Sequence, residues 1–292
     1  MTLAYGVSGR YGAAGDANER AIDYAKRAGD RVIEMRLHSS SAMVAFYGPM
    51  PVPEAIATCE QLLLIAEGDR RSQATTLSAL AHLRAMVGDF ELARDDYRRG
   101  RAILEELGLR FDASLISIDS GPVELLAGDP VAAEAELRKD YEALDAMGER
   151  NYISTIAGLL AEALYRQERF DVAAGFAKVC EEVAAPSDVY SQYLWRGVRG
   201  KLLARDGAHD EGIDLARSGV VETRASDDLE GQGNALLFLA EAQRAAGQTE
   251  DATRSAKEAC ALFEAKGNVV SARRAREFAG AGVVEPDPGV PA

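Results

Sequence analysis

The sequence predicts an all-α solenoid: about seven antiparallel helix pairs stacked in one direction, with a short helix capping the C-terminal end. Three observations predict it. Gly48, Gly88, Gly128, Glu168, Gly207 and Gly247 each end an apolar helical stretch, at successive spacings of 40, 40, 40, 39 and 40 residues. A second series, Gly29, Gly68, Gly108, Gly148, Ser187, Asp227 and Gly267, interleaves with it at 39, 40, 40, 39, 40 and 40. Two series sharing one period mean two helices per unit, and a fixed period in this range marks stacked helix pairs. Few strand signals compete. The β-branched run Leu115-Ile116-Ser117-Ile118 is short and falls inside a helical window.

Residues 1–14 read as an imperfect first helix and 17–28 as its partner, divided at Gly15-Asp16. The register is irregular here, as expected of an end unit that caps a stack. The second pair, 31–47 and 53–66, is joined by the proline-rich turn Gly48-Pro49-Met50-Pro51-Val52-Pro53. The third pair carries the stripe Leu77, Leu80, Ala81, Ala85 and then Phe90, Ala93, Tyr97, Gly100, Leu104. The following pairs span 110–127 with 130–147, 150–167 with 169–184, 188–206 with 208–225, and 228–246 with 249–266. A last helix runs from 269 to about 279. The solenoid thus covers 1–279, and 280–292, with Pro286, Pro288 and Pro291, reads as a disordered tail. Glycine suits the breaks because it takes positive φ at little cost. Asp follows Gly at positions 16, 30, 69, 89 and 129, where it can cap the next helix.

The net charge of −14 argues against nucleic-acid binding, which needs clustered cations to neutralise phosphates. The arginine strings at 98–101 and 273–276 are expected to make surface ion pairs. Cys59, Cys180 and Cys260 are scattered, odd in number and without a CxxC, which fits small core residues in a reducing cytoplasm. The N-terminus lacks a basic segment followed by an apolar stretch, so no secretion signal is expected. No apolar run approaches the ~18 residues of a membrane span.

Leu80-Ala81, Gly88-Asp89-Phe90, Ala93 and Tyr97 resemble the tetratricopeptide repeat. The fifth unit repeats the pattern with Leu160-Ala161, Phe170 and Ala173, and the seventh with Leu239-Ala240, Gly247 and Ala252. The resemblance is strongest over 70–267. The unit is longer than the family's basic 34 residues. Long units of this kind resemble the C-terminal solenoids of bacterial signalling ATPases and nucleotide cyclases. The segments 148–155, 188–196 and 265–276 look like the cyclase-linked group. The resemblance implies a right-handed superhelix whose first helices form a concave inner wall.

Chemistry is sparse. There is no phosphate-cradling GxxxxGK[ST] and no nucleophile elbow. His38, His82 and His209 lie in different units with no second histidine at helical spacing, so neither metal nor cofactor is expected, and no enzyme activity. His82 reads as a surface or groove hydrogen-bonder. The richest stretch holds Tyr190, Tyr193 and Trp195 with Arg196, Arg199 and Lys201, the aromatic-plus-arginine composition of an interaction hot spot. Trp195 stands near a family packing position, so core burial competes with exposure there. By the family mapping, Tyr152, Thr155, Glu162, Tyr165 and Arg166 of the fifth unit and Asn234, Glu241 and Arg244 of the seventh also face the groove. The expected function is a protein-interaction scaffold in bacterial signalling or transcriptional regulation, binding a peptide or partner domain. The alternative is a ligand-sensing segment for a small effector, with an attached or adjacent cyclase or ATPase as partner. The oligomeric state stays open.

Overall fold

The two turn series end the helices in a computed structural model that describes residues 8–281. Among the described residues helix α1 (Tyr11–Ala28) comes first. The pairs that follow are α2 (Arg31–Tyr47) with α3 (Val52–Ile65), and α4 (Arg70–Val87) with α5 (Phe90–Glu106). In the next pair α6 (Arg110–Ala113) and α7 (Ser117–Ala127) together face α8 (Pro130–Ala146). Then come α9 (Asn151–Arg166) with α10 (Phe170–Val183) and α11 (Val189–Arg205) with α12 (His209–Thr223). The last pair is α13 (Leu229–Ala245) with α14 (Thr249–Lys266), and α15 (Val269–Gly280) packs on α14. The described residues contain no strand, and the pairs stack as a right-handed superhelical α-solenoid.

Local chemistry sets these limits. Asp30, Asp69 and Asp129 each accept a hydrogen bond from the amide three residues on, at 3.0, 3.2 and 2.9 Å. Gly88 and Gly128 close α4 and α7 in the left-handed region, with φ of 93° and 79°. At Gly48 the backbone is extended instead (φ −73°), because the following prolines lead the chain away. Glu168 holds the equivalent place at φ 59°, a region that strains a side chain. Glu168→Gly is therefore expected to stabilise the protein by about 1 kcal/mol. Urea denaturation checks this, and a lower midpoint would remove the strain assignment.

Three sequence expectations need correction. Helix α1 runs unbroken through Gly15 and Asp16, and residues 8–10 are not helical, so no turn divides a first pair there. The remainder of the expected first helix, residues 1–7, lies outside the described residues, as does the expected tail beyond Ala281. The helix expected over 110–127 is interrupted at Ser114–Ile116. Arg101 donates to the Ala113 carbonyl at 3.0 Å and Asp140 accepts from the Ser117 amide at 3.0 Å. These side chains take over hydrogen-bonding groups that a continuous helix would pair internally. Arg101 is bound to Asp140 by two hydrogen bonds of 2.8 Å, both side chains largely buried, rather than making a surface pair.

The first helices build the core. Every residue from Ile153 to Leu164 of α9 is buried, so this helix is covered on all sides. Its neighbours in sequence order are α7 and α11, and α11 in turn packs on α13. Helix α15 then returns to α4. The sequence α4, α7, α9, α11, α13, α15 is thus a closed ring of helices. One full superhelical turn brings the C-terminal end back onto the third pair.

The N-terminal helices seal the joint. Lys266, the last residue of α14, is fully buried, and its Nζ donates to the carbonyls of Phe46, Gly48 and Met50 at 2.6, 2.6 and 2.9 Å. Those carbonyls belong to the C-terminal end of α2 and its turn, where helices leave acceptors unpaired. Asp227, just before α13, accepts from the Tyr11 and Gly12 amides of α1, both at 2.7 Å. Tyr11 stacks on Tyr47 with ring centroids 5.1 Å apart, and Tyr47 meets Tyr190 of α11 edge-on.

Candidate functional site

The ring of first helices lines a partly open chamber of about 300 Å³. Each first helix from α4 onward contributes to it: His82 from α4, Leu125 from α7, Leu159 and Glu162 from α9, Tyr190 and Tyr193 from α11, Glu230, Asn234 and Phe238 from α13. Arg273, Arg274 and Glu277 of α15 complete the lining at its more exposed end. The wall thus combines apolar and aromatic side chains with charged ones.

One charged network holds the helices around the chamber. Lys201 of α11 is fully buried and donates to Glu162 of α9 at 2.6 Å and to Glu241 of α13 at 2.8 Å. Its ammonium also lies 4.0 Å from the Tyr165 ring centroid. Glu162 accepts from Arg166 at 2.7 Å, and Glu241 accepts from Arg274 of α15 at 2.8 Å. Burial opposes the charge on Lys201, but Glu162 and Glu241 outweigh it and hold its pKa above the ordinary value. Burial likewise opposes ionisation of Glu162, and Lys201, Arg166 and Arg274 pull its carboxyl below the usual range. Removing one partner from such a network strands a buried charge.

A second cluster lies where α4 meets α13. The His82 side chain is 4% exposed and stands 3.7 Å from Glu230 and 4.0 Å from Asp119. Those gaps are too long for direct hydrogen bonds, and both imidazole nitrogens and Asp119 Oδ1 are buried without a hydrogen-bond partner. Asp119 Oδ2 accepts from the Ser78 hydroxyl. Burial disfavours charge on His82, but Glu230 and then Asp119 push its pKa up to about 9. Burial and the neighbouring Glu230 push Asp228 up to about 7.

These shifts have a definite sign. The contribution of His82 to stability is complete below its ordinary pKa of 6.5 and is lost as pH rises through about 9. Asp228 favours the fold while protonated, so its contribution falls as pH rises from 3.8 through about 7. Stability is expected to decline from pH 5 to 9, with His82 accounting for about 3 kcal/mol of that change. Chemical denaturation across pH checks this. An equally steep decline between pH 6.5 and 9 in His82→Gln would refute the assignment to that histidine.

The sequence-predicted residues divide into three groups. Glu162, Arg166, Tyr190, Tyr193 and Asn234 line the chamber, and Lys201 and Glu241 tie its wall together. Thr155 shares a buried hydroxyl contact with Ser191 at 2.9 Å, and Tyr165 covers Lys201. The others point elsewhere. Arg196 and Arg199 sit five and two residues from Lys201, which turns them about 140° and 160° away from it on the same helix. Arg196 lies over the Trp195 ring and 3.6 Å from Glu222, while Arg199 pairs with Glu181 of α10. Arg244 packs on Phe278, and Tyr152 meets Phe111 edge-on at the outer rim. Trp195 is buried beside Ala157 and Cys180. Cys180 and Cys59 are buried as expected, but Cys260 is only half-buried.

Sequence reasoning missed Asp119, Glu230 and Lys266, and it reads His82 as a surface or groove hydrogen-bonder although the residue is buried. Their sole sequence signal is position: each lies at or near a helix end where charge is ordinary. Only the return of α15 onto α4 brings them together. Among the described residues there is no cluster of His, Cys, Asp and Glu suited to a metal ion. No described helix is long and apolar enough to cross a membrane.

No protein-family model and no curated protein matches the chain. Among solved structures, its fold is similar to that of a Signal Transduction ATPase with Numerous Domains (STAND) protein with a tetratricopeptide repeat sensor from Pyrococcus horikoshii. That match has a TM-score of 0.55 and 14% identity, and covers 92% of this chain and 43% of the other. It is also similar to a Rap protein solved in complex with Competence and Sporulation Factor, with a TM-score of 0.56 and 12% identity over 86% of this chain and 77% of the other. The chain thus spans less than half of the STAND protein, and what it shares with both structures is the tetratricopeptide-like helical-repeat fold.

Proposed function

We propose that this chain is a ligand-sensing module of the helical-repeat type, in which a small polar effector enters the chamber and sets how tightly the ring closes. The observation that carries this reading is the chamber itself. The first helices curl round a partly open space of about 300 Å³, the lower end of the range for small-molecule sites. Buried polar atoms without partners at its wall invite a ligand able to pair with them. The sensor part of the similar STAND protein supports a regulatory setting, and an attached or adjacent ATPase or cyclase is the output such a sensor would control.

Partner docking, the other reading, is favoured by the outer rim. There the exposed rings of Phe111 and Tyr152 meet at 6.0 Å, near exposed Leu107 and Met147 at the ends of α5 and α8. Aromatic surface of this kind suits protein contact.

The two readings separate in one experiment. Asn234 faces the chamber, and Asn234→Trp fills it. Fractionated small-molecule extract is expected to raise the melting temperature of the native chain by several degrees, as binding to the folded state requires, and to leave Asn234→Trp unmoved. A chain that no fraction stabilises would contradict the effector reading.

A further inference from the structure

The charged side chains around the chamber already face partners of opposite sign. His82 stands between Glu230 and Asp119. Glu162 is shared by Arg166 and Lys201, and Glu241 by Lys201 and Arg274. Arg273 lies 3.9 Å from Glu277 in the exposed part of the wall. A charged ligand would meet like charge or draw one of these groups from its partner, and stranding a buried charge is costly. The chamber is therefore suited to an uncharged molecule.

Two neutral polar side chains of the wall are free. Asn234 and Ser271 line the chamber, and neither side chain has a hydrogen-bond partner among the described residues. Ser271 is 5% exposed, and its amide donates to Asn268, so its hydroxyl alone is left over. Asn268 of α15 donates to Glu230 of α13 at 3.3 Å, and Arg274 of α15 donates to Glu241 of α13 at 2.8 Å. Asn234 and Ser271 fall between these bridges in sequence, one on each helix, and among the described residues no hydrogen bond joins the two helices there. The seam between α13 and α15 is tied on both sides of an open stretch, and that stretch faces the chamber.

The surroundings of the open stretch are apolar on one side. Glu230, Asn234 and Phe238 follow one another at four-residue spacing and so share a face of α13. Leu125, Leu159 and Leu194 line the chamber from other helices. A carboxamide offers a donor and an acceptor side by side, and a hydroxyl offers both on one atom. A ligand with an N–H and a C=O on the same side matches Asn234 by a pair of hydrogen bonds. It leaves a second carbonyl lone pair for Ser271.

We propose that the chamber binds an uncharged amide whose N–H and C=O lie on the same side, a primary amide or a lactam, seated on Asn234 and Ser271 with its apolar remainder against Leu159, Leu194 and Phe238. The assignment rests on the reading of the chamber as the effector site and names the chemistry of the effector. An open-chain secondary amide is trans and holds the two groups on opposite sides. An ester lacks the N–H and leaves the Asn234 carbonyl unpaired. A carboxylate or an ammonium group brings a charge for which the wall has no free partner.

Two sources supply this chemistry: an open-chain primary amide, and a cyclic amide such as that of a cyclic dipeptide. Ligand-observed NMR titration of the native chain distinguishes them, with hexanamide and caprolactam as probes. N-methylpentanamide, methyl pentanoate, hexanoate and hexylamine are controls of similar size. The preferred amide is expected to bind about ten-fold or more tighter than any control. Preference for hexanamide identifies the open-chain source, preference for caprolactam the cyclic one, and equal binding means that the site reads the amide edge alone. Asn234→Leu removes the carboxamide at similar volume. It is expected to weaken the preferred amide about ten-fold while changing methyl pentanoate by less than about two-fold. Circular dichroism establishes that the variant is folded. Should it fail to fold, Ser271→Ala is read instead, with an expected loss of about three-fold. A control that binds as tightly as the preferred amide, amides that fail to bind at millimolar concentration, or a folded variant that keeps native amide affinity would overturn the assignment. So would a variant that weakens amide and ester alike. If extract fractions still stabilise the native chain but not Asn234→Trp, only the amide assignment falls. If they do not, the effector site falls with it.

Discussion

Gly200→Val is expected to abolish stable folding, or to lower stability by about 4 kcal/mol or more. Helices α11 and α12 touch backbone to backbone at this residue. A Cβ added at Gly200 would stand 2.6 Å from the Gly212 carbonyl oxygen and 2.9 Å from the Ala216 amide nitrogen. The approach is reciprocal, since a Cβ at Gly212 would stand 2.5 Å from the Gly200 carbonyl oxygen. These obstacles belong to backbone, so no rotamer change relieves them. The helices must separate, and separation strips burial from Lys201 one residue away. Thermal denaturation followed by circular dichroism checks this. A melting curve like that of the native chain would mean that the α11–α12 contact is looser than described. Gly175 is the internal control: it also lies within a helix, but nothing stands within 4 Å of an added Cβ. Gly175→Val is expected to cost about 1 kcal/mol or less.

Lys266→Met is expected to lower stability by about 3–5 kcal/mol, a second large effect with a different cause. Burial alone pulls the Lys266 pKa down despite the nearby Glu230 and Asp228, so the ammonium is costly to bury. Its return is the set of α2 carbonyls that it satisfies. Methionine fills the space but leaves those acceptors in a dry joint without donors. Hydrogen exchange should therefore accelerate in α2 and its turn before it does in α9. Uniform acceleration, or none, would mean that the joint does not depend on this contact.

Much of the fold is legible in the sequence because helix ends are local chemistry. A glycine at positive φ and an aspartate cap act within a few residues, so the spacing of Gly88, Gly128 and Gly247 carries the repeat directly. Burial of Trp195 and Cys180 follows from the same period. The break before Ser117 does not, because Arg101 and Asp140 impose it from neighbouring helices. The candidate site is less legible still. Tyr190 and Lys201 lie eleven residues apart on one face of α11, and that much is helical geometry. Arg196 and Arg199 share the composition of that stretch, although the period of the helix turns them away. The cluster of His82, Asp119 and Glu230 exists only because the superhelix closes. Closure depends on small rotations accumulated between successive pairs, and no single residue encodes them.

Closure of the ring is the claim on which the chamber, the Lys266 joint and the effector site all depend. An engineered disulfide tests it most directly. A Cβ built at Gly267 would stand 3.6 Å from Val52 Cβ, within the range that a disulfide spans, although 215 residues separate the two positions. Cysteine at Gly267 is strained by its φ of 85°, by about 1–2 kcal/mol, and closing so long a loop offsets this. In a background with the native cysteines replaced by alanine, the pair Val52→Cys and Gly267→Cys is expected to oxidise within the monomer and raise the melting temperature. Two thiols that both stay open to alkylation in a folded chain would show that the ends do not meet.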